Sequence, residues 1–261
     1  MISQPSHFDV LGVRVAAIDP LQGLTTVEGW ITRGERGYVC HANVHGVMEA
    51  RQDSALRAAY ARAGLVVADG VPLVWVGRIG GHRTVHRVYG PDFMLLVNEQ
   101  AAARGYRVLF YGGAPGVAEA LADRLTARYP GLRVVGAESP PFRPLTAEED
   151  RAMVARINAS GADIVWVGLG CPKQERWMAE HRAALTAPVL LGVGAAFDFH
   201  AGRVGQSPRW LMAVGLEWLF RLMTEPLRLW RRYLLYNPLF VALITRQLLQ
   251  EVGRRRASSP R

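Results

Sequence analysis

Short apolar runs rich in β-branched residues alternate with longer helical patterns from about residue 10 to residue 200. This alternation is typical of repeated strand–helix units around a mostly parallel sheet. Strands are predicted at 38–41, 65–68, 107–111, 133–137, 163–168 and 189–193, after a hairpin-like stretch at 9–18. Helices are predicted at 20–33, 44–63, 91–104, 115–129, 147–160 and 172–186, and a proline-rich loop at 139–146. The expected fold class is α/β, a Rossmann-like sheet with helices on both faces.

The carboxyl-terminal part of the chain differs in pattern and in charge. After residue 203 the alternation stops, and the sequence predicts two or three helices separated at Pro226 and Pro238. This stretch carries eleven Arg and three Glu, a net charge of +8 out of +9 for the whole chain. We therefore divide the chain into an α/β core at 1–202 and a basic helical appendage at 203–261.

The appendage interleaves aromatic with basic side chains, namely Trp210, Trp218, Trp230, Tyr233 and Tyr236 with Arg221, Arg228, Arg231 and Arg232. Helices of this composition lie in the interface of membranes that contain anionic lipid. The alternative is that Leu and Trp pack on the sheet while the Arg side chains face water. A second copy could also cover the apolar face, which would make the protein a homo-oligomer. Composition leaves these alternatives open.

Several classes of protein have little support in the sequence. Cys40 and Cys171 lie far apart and outside any metal-ligand spacing, so neither a disulfide framework nor a metal site is predicted. The start of the chain lacks the basic and apolar regions of a signal peptide. No run of about 18 apolar residues occurs, so no membrane span is predicted. We expect a cytoplasmic protein attached peripherally to the inner face of the cytoplasmic membrane.

Ligands of parallel α/β sheets bind beyond the carboxyl ends of the strands, so the loops that follow the strands are the places to search. Five have unusual sequences: 41–43 (HAN), 68–70 (ADG), 111–116 (YGGAPG), 168–175 (GLGCPKQE) and 192–198 (GVGAAFD). Gly112 and Gly113 either let the backbone approach a diphosphate at the next helix, or form a tight turn. Their loop matches neither GxGxxG nor GxxxxGK[ST], which leaves nicotinamide binding and P-loop hydrolysis without support.

Two polar residues end strands at this predicted edge. Asp69 either caps the following helix or acts as a general base that takes the proton from a sugar hydroxyl. Asn43 either caps its helix or hydrogen-bonds a substrate. Local sequence favours the cap in both cases.

The motifs become recognisable as a set. ANVHGVMEA, ADGVPLVWVGRI, RVYGPDFM, YGGAPGVAEAL, GADIVWVGLGCPKQERWM and GVGAAFDFHAG, followed by SPRWL, GLEWLFRL and EPLRLWRRY, resemble in this order the WecG/TagA/CpsF family of bacterial glycosyltransferases. The resemblance runs from about residue 8 to about residue 240. It implies an inverting, metal-independent transfer, without a cofactor, of a sugar from a UDP-sugar to an undecaprenyl-diphosphate-linked sugar. Family products include teichoic acid linkage units, enterobacterial common antigen and exopolysaccharides, and this chain looks closer to the exopolysaccharide branches.

The resemblance also implies roles for particular residues. Asp69 matches the family's proposed catalytic base, Asn43 a polar partner near the donor, and Gln174 a residue that lines the same pocket. Arg87 falls at a substrate-binding arginine. The appendage arginines Arg228, Arg231 and Arg232 correspond to the membrane-binding part.

His41 departs from the family pattern, because it stands where members often have the Thr of a T-x-N triplet. It either replaces the Thr hydroxyl as a hydrogen-bonding or acid/base group, or is a strand-end histidine bonded to the backbone.

A departing UDP develops negative charge that, without a metal, needs cations or backbone N–H groups. The candidates are Arg87, Lys173, which is the chain's one lysine, and one or more of Arg221, Arg228, Arg231 and Arg232. The expected partners are a UDP-sugar, a polyprenyl-diphosphate-linked sugar and an anionic membrane surface, with no nucleic acid. The alternatives are a noncatalytic module that binds nucleic acid through the Arg-rich tail, and a nicotinamide oxidoreductase.

Overall fold

The computed structural model describes residues 5–257, apart from the side chains of Ala213, Arg228, Arg231, Arg232 and residues 254–257. Its main sheet consists of β3 (Gly37–Ala42), β4 (Leu65–Ala68), β5 (Arg107–Gly112), β6 (Arg133–Glu138), β7 (Ile164–Gly168) and β8 (Val189–Gly192). These six strands are parallel and lie in the order β4-β3-β8-β7-β5-β6. A separate antiparallel hairpin is formed by β1 (His7–Val10) and β2 (Val13–Ala16). The predicted α/β class is therefore confirmed.

The helices of the first two hundred residues connect and cover these strands. They are α1 (Pro20–Arg33), α2 (Val44–Gln52), α3 (Ser54–Arg62), α4 (Val71–Ile79), α5 (Gly90–Arg104), α6 (Val117–Arg128), α7 (Ala147–Ser160), α8 (Lys173–His181) and α9 (Ala196–His200). The single helix predicted at 44–63 is wrong, because Asp53 ends α2 and caps α3 by accepting the N–H groups of Ala55 and Leu56. The helix predicted at 172–186 already ends at His181.

Apolar side chains cover both faces of the sheet, since successive strand residues point to opposite sides. One face carries Cys40 and Val66, which belong to a core that also contains residues of α2, α3 and α8. The other face carries Val39 and Val67, in a second core with residues of α1, α5, α6 and α9. The sheet is thus a central layer between two helical layers, with its strand ends left to form a site.

Three further helices follow, α10 (Arg209–Ala213), α11 (Glu217–Thr224) and α12 (Pro226–Ala257). The separation predicted at Pro238 is wrong, because α12 continues through it. Phe240 and Ile244, on the far side of the proline, are buried in the core beside α2. Within the described part of the chain, no helix is both long and apolar enough to cross a membrane.

Candidate active site

A cavity of about 1190 Å³ opens at the carboxyl ends of the parallel strands, where sheets of this type bind ligands. Its walls come from the loops after β3, β4, β5, β7 and β8, from the proline-rich loop at 139–146, and from Arg221 and Leu229 of the last helices. Of the predicted site residues, His41, Asn43, Asp69, Gly113, Lys173 and Gln174 line it. The volume exceeds that of a typical small-ligand pocket, so two sugar-bearing substrates could share it.

Asp69 follows β4 directly and is half-buried. It does not cap α4, whose N-cap is Gly70 without a side-chain hydrogen bond. Its Oδ1 instead accepts the N–H of Gly90, 2.8 Å away, at the start of α5. Burial raises the pKa of the Asp69 carboxyl, and this effect outweighs the lowering by Arg87, by the Gly90 N–H and by Asn43. A carboxylate with a raised pKa is a stronger base, as proton abstraction from a hydroxyl requires.

Asn43 has the capping role that one of the two alternatives predicted. Its Oδ1 accepts the Gly46 N–H at 3.1 Å and so caps α2. The same side chain hydrogen-bonds the Asp69 carboxyl, which helps to keep that group ionised. The two residues meet because β3 and β4 are parallel neighbours, with Ala42 paired to Ala68.

His41 is a buried, neutral imidazole at the floor of the cavity. The side chain is 6% exposed, and burial lowers its pKa to about 4. Nδ1 lies 3.1 Å from the Gly192 carbonyl, which can only accept, so Nδ1 carries the proton and Nε2 is an acceptor. Nε2 has no hydrogen-bond partner among the described residues. The hydrogen bond to the backbone that one alternative predicted for His41 is thus present. The ring carries no charge at neutral pH.

The 168–175 loop brings Lys173 and Gln174 to the cavity in different states. Lys173 is exposed at the first position of α8, free to reach an anion. Gln174 is buried, and its Oε1 accepts the Gly170 N–H at 3.2 Å while its Nε2 donates to Glu175 at 3.0 Å. Gln174 therefore holds the loop in shape as well as lining the cavity.

Gly112 and Gly113 are required by packing at the end of β5. Their φ angles are 136° and 77°, in the region that favours glycine. A Cβ on Gly112 would lie 2.6 Å from the Gly168 carbonyl carbon, and one on Gly113 would lie 2.7 Å from Val117 Cβ. The Gly113 N–H donates to the Gly168 carbonyl at 3.0 Å. The tight turn is thus present, and only Gly113 of the pair reaches the cavity wall.

Arg87 lies beside the cavity and does not line it. Its Nε donates to the Asp69 carbonyl at 2.6 Å, and its Nη2 donates to Glu217 Oε2 at 2.6 Å. Its guanidinium stacks on the Tyr89 ring, 4.1 Å from the ring centre, and the Tyr89 hydroxyl donates to Glu217 Oε1 at 3.1 Å. The sequence analysis did not predict the roles of Glu217 and Tyr89. Together these three side chains attach α11 to the strand end that carries Asp69.

Among the appendage arginines, Arg221 reaches the cavity. It is half-buried, 3.7 Å from Glu225 and 6.0 Å from the centre of the Phe199 ring. Its charge also acts on the Asp69 carboxyl. The predicted Arg228, Arg231 and Arg232 are on the first turns of α12, and their side chains lie outside the described residues.

An aromatic wall on the β5–β7 side of the cavity was not predicted. Tyr111 stacks on Trp177, with ring centres 4.7 Å apart, and Trp177 stacks on His181 at 4.6 Å. His181 Nε2 lies 3.0 Å from Asp150 Oδ1. These residues share no sequence motif. The proline-rich loop at 139–146 beside them was the one feature of the sequence that could have indicated this wall.

Comparison with known proteins agrees with this arrangement. The profile of the glycosyl transferase WecG/TagA/CpsF family matches residues 8–254, from the hairpin into α12. A curated relative, the N-acetylglucosaminyldiphosphoundecaprenol N-acetyl-beta-D-mannosaminyltransferase of Bacillus spizizenii, is 29% identical over 205 residues, 78% of this chain and 77% of the relative. The family match favours glycosyl transfer over the nucleic-acid and nicotinamide alternatives. The chain belongs to the WecG/TagA/CpsF family of glycosyl transferases.

Proposed function

We propose that the protein is an inverting, metal-independent transferase that moves a sugar from a UDP-sugar to an undecaprenyl-diphosphate-linked saccharide. The observation that carries the proposal is the Asp69 carboxyl, half-buried at a strand end and held by the Gly90 N–H inside the large cavity. The relative's name describes transfer of an N-acetyl-beta-D-mannosaminyl group to N-acetylglucosaminyldiphosphoundecaprenol. The product would belong to an exopolysaccharide or another cell-surface polysaccharide.

In the proposed reaction, Asp69 takes the proton of the acceptor hydroxyl while that oxygen attacks the anomeric carbon of the donor. The new carbon–oxygen bond forms as the bond to the UDP oxygen breaks, and UDP leaves with the electron pair. A single displacement of this kind inverts the anomeric configuration. Asn43 orients the base, since it hydrogen-bonds the carboxyl and is itself fixed by the cap of α2.

The leaving diphosphate needs positive partners, and Lys173 and Arg221 are two of the cationic side chains that line the cavity. Lys173 is exposed at the start of α8, where the backbone N–H groups of the helix end add to its charge. Arg221 belongs to α11. Cations that are already in place can stabilise the developing charge without a bound metal.

The lipid-linked acceptor implies that the enzyme works at the inner face of the cytoplasmic membrane. The helices after residue 203 carry most of the net positive charge, which suits a surface that contains anionic lipid. We therefore retain their assignment as a membrane-binding appendage within this proposal.

The test is release of UDP by the purified protein with a panel of UDP-sugars and a short-chain polyprenyl-diphosphate-sugar acceptor, with and without EDTA. The proposal expects release that requires the acceptor and is insensitive to EDTA. Inversion is checked by NMR of the product anomer. Loss of turnover with EDTA that Mg²⁺ restores would overturn metal independence, and no release with any pair would contradict the donor class.

A further inference from the structure

The outward face of α4 is apolar where a surface helix is ordinarily polar. Trp75 is 52% exposed and Ile79, one turn further along, is 67% exposed. Arg78 lies exposed between them, while Leu73 and Val76 on the inner side are buried. Because α4 already buries its inner side in the core, the exposed Trp and Ile are not needed for folding.

This face continues onto α10. A Cβ on Gly215, just after α10, would lie 3.4 Å from Val71 Cγ1 and 3.7 Å from the Trp75 ring. The neighbouring Val214 is exposed, as is Trp210 one turn before it. Exposed apolar side chains thus occur on both adjoining elements, Trp75 and Ile79 on α4, and Trp210 on α10 with Val214 just after it.

The exposed charges on and just after α4 are positive. Arg78 and Arg83 are exposed, and residues 71–83 contain no Asp or Glu, whereas Arg209 of α10 pairs with Asp92 at 3.5 Å. A symmetric contact with a second copy places the same patch against itself and would bring like charges together. A surface of Trp, Ile and Arg instead fits the interface of a bilayer with anionic lipid, where rings sit at headgroup level.

The same face is fixed relative to the catalytic centre. α4 begins two residues after Asp69, with Gly70 between them. On the other side, the Arg87–Glu217 ion pair attaches α11 to the Asp69 backbone. Contact between this face and a membrane would therefore set the distance of the cavity from the lipid surface.

We propose that Trp75, Arg78 and Ile79 of α4, Trp210 of α10 and Val214 just after it form one lipid-binding surface, the α4 surface, which seats the enzyme on an anionic membrane. The inference rests on the proposed function in that the acceptor is lipid-linked. The proposal extends membrane contact from the appendage to the α/β core, because α4 follows β4, which is an edge strand of the sheet.

The first test is pelleting of the protein with vesicles of phosphatidylcholine alone or with about 30% phosphatidylglycerol. The double variant Trp75→Ser/Ile79→Ser should bind anionic vesicles at least about tenfold more weakly than wild type, because interfacial binding scales with buried apolar area. The matched control is Leu21→Ser, since Leu21 is 63% exposed on α1, which packs on the other face of the sheet from α4, and it does not line the cavity. It should bind like wild type. Equal binding by the double variant and wild type would overturn the proposal.

A second measurement reports contact directly. With Cys171 replaced by Ala, Ile79→Cys can carry an environment-sensitive fluorophore, because Cys40 is buried. We expect a blue shift of this label on addition of anionic vesicles, and none for a label at Leu21→Cys. An unshifted Ile79 label, or a change from dimer to monomer in the double variant with vesicle binding intact, would assign the surface to a second copy instead.

Neither assay requires turnover, so failure of the proposed glycosyl transfer and failure of the α4 surface are distinguishable. With a short soluble acceptor, the double variant should release UDP at the wild-type rate. With a long-chain acceptor in anionic vesicles, its rate should fall with its vesicle affinity.

Discussion

Arg87 Nη2 lies 2.6 Å from Glu217 Oε2, and this ion pair joins two parts of the chain that are 130 residues apart. Both side chains are largely shielded, at 21% and 17% exposure. Arg87 also donates to the Asp69 carbonyl, so the pair connects α11 to the strand end that carries Asp69. Its loss should affect both stability and the placement of Arg221, one turn further along α11.

Glu217→Gln should lower the free energy of unfolding by about 1–3 kcal/mol, because a shielded Arg87 loses its charged partner. Urea denaturation measures this loss. Arg209→Gln is the matched control, since Arg209 lies 3.5 Å from Asp92 in an exposed pair, which should contribute under about 1 kcal/mol. Equal effects of the two substitutions would show that the Arg87–Glu217 pair is no more than a surface contact.

Asp69→Asn should keep the fold and reduce turnover by about a hundredfold or more, as expected for loss of a general base. The amide oxygen can still accept the Gly90 N–H, so the loop need not change. Asp123→Asn, an exposed carboxylate on α6, is the control and should be fully active. Near-normal turnover in Asp69→Asn would assign the carboxyl to loop structure alone.

The raised pKa of Asp69 also predicts a pH profile. A base must be deprotonated, so activity is lost as pH falls through the pKa of this carboxyl. Because burial raises that pKa, the acid limb of kcat/KM should lie above the ordinary Asp value of 3.8. Initial rates from about pH 3 to pH 8 test this expectation, and an acid limb below 3.8 would contradict it.

His41 predicts a loss of stability in acid. The unfolded chain takes up a proton as pH falls through about 6.5, whereas the folded state resists until about pH 4. Stability is therefore lost between these two values, by roughly 3 kcal/mol in total. The difference in unfolding free energy between wild type and His41→Asn should change across this window. A His41→Asn curve parallel to wild type would argue against the buried neutral ring.

Gly112→Ala should destabilise the protein by about 3 kcal/mol or more, because the new methyl group would meet the Gly168 backbone. Gly170→Ala is the control. Gly170 also has a positive φ, 76°, but a Cβ there meets no atom within 4 Å, so only the backbone cost of about 1–2 kcal/mol applies. Thermal unfolding distinguishes the two, and equal losses would show that the close contact is easily relieved.

Helix ends were predictable where a local motif determines them. α1 occupies the predicted 20–33 because Asp19 and Gln22 exchange capping hydrogen bonds, and because Gly34 closes the helix at φ 66°. The break at Asp53 was missed because the apolar pattern continues through it.

The continuation of α12 through Pro238 shows where local rules are overridden. A proline inside a helix lacks an N–H and is expected to interrupt it. Here the Tyr236 hydroxyl donates to Glu49 before the proline, and Phe240 and Ile244 are buried after it. Tertiary contacts on both sides outweigh the local cost, and none of them is visible in the sequence of the helix alone.

The candidate site was predictable to the extent that parallel strands bring their carboxyl ends to one edge. Asn43 and Asp69 meet for this reason. The contacts of Arg87 with Glu217 depend on how α11 docks, and no periodicity or spacing specifies a contact over that separation. The aromatic wall at Trp177 likewise depends on the packing of α8 against neighbouring strands.

Gln247 of α12 makes two hydrogen bonds to the hairpin near the start of the chain, accepting the Leu11 N–H and donating to the Asp9 carbonyl, each at 2.9 Å. During synthesis the hairpin leaves the ribosome well over two hundred residues before Gln247 does. The Leu11 N–H and the Asp9 carbonyl therefore lack these hydrogen bonds until Gln247 of α12 has been translated. Domains otherwise begin to fold from the amino-terminal side. We expect nascent chains stalled before α12 to carry an open hairpin edge, which makes the last helix the step that closes the fold in the cell.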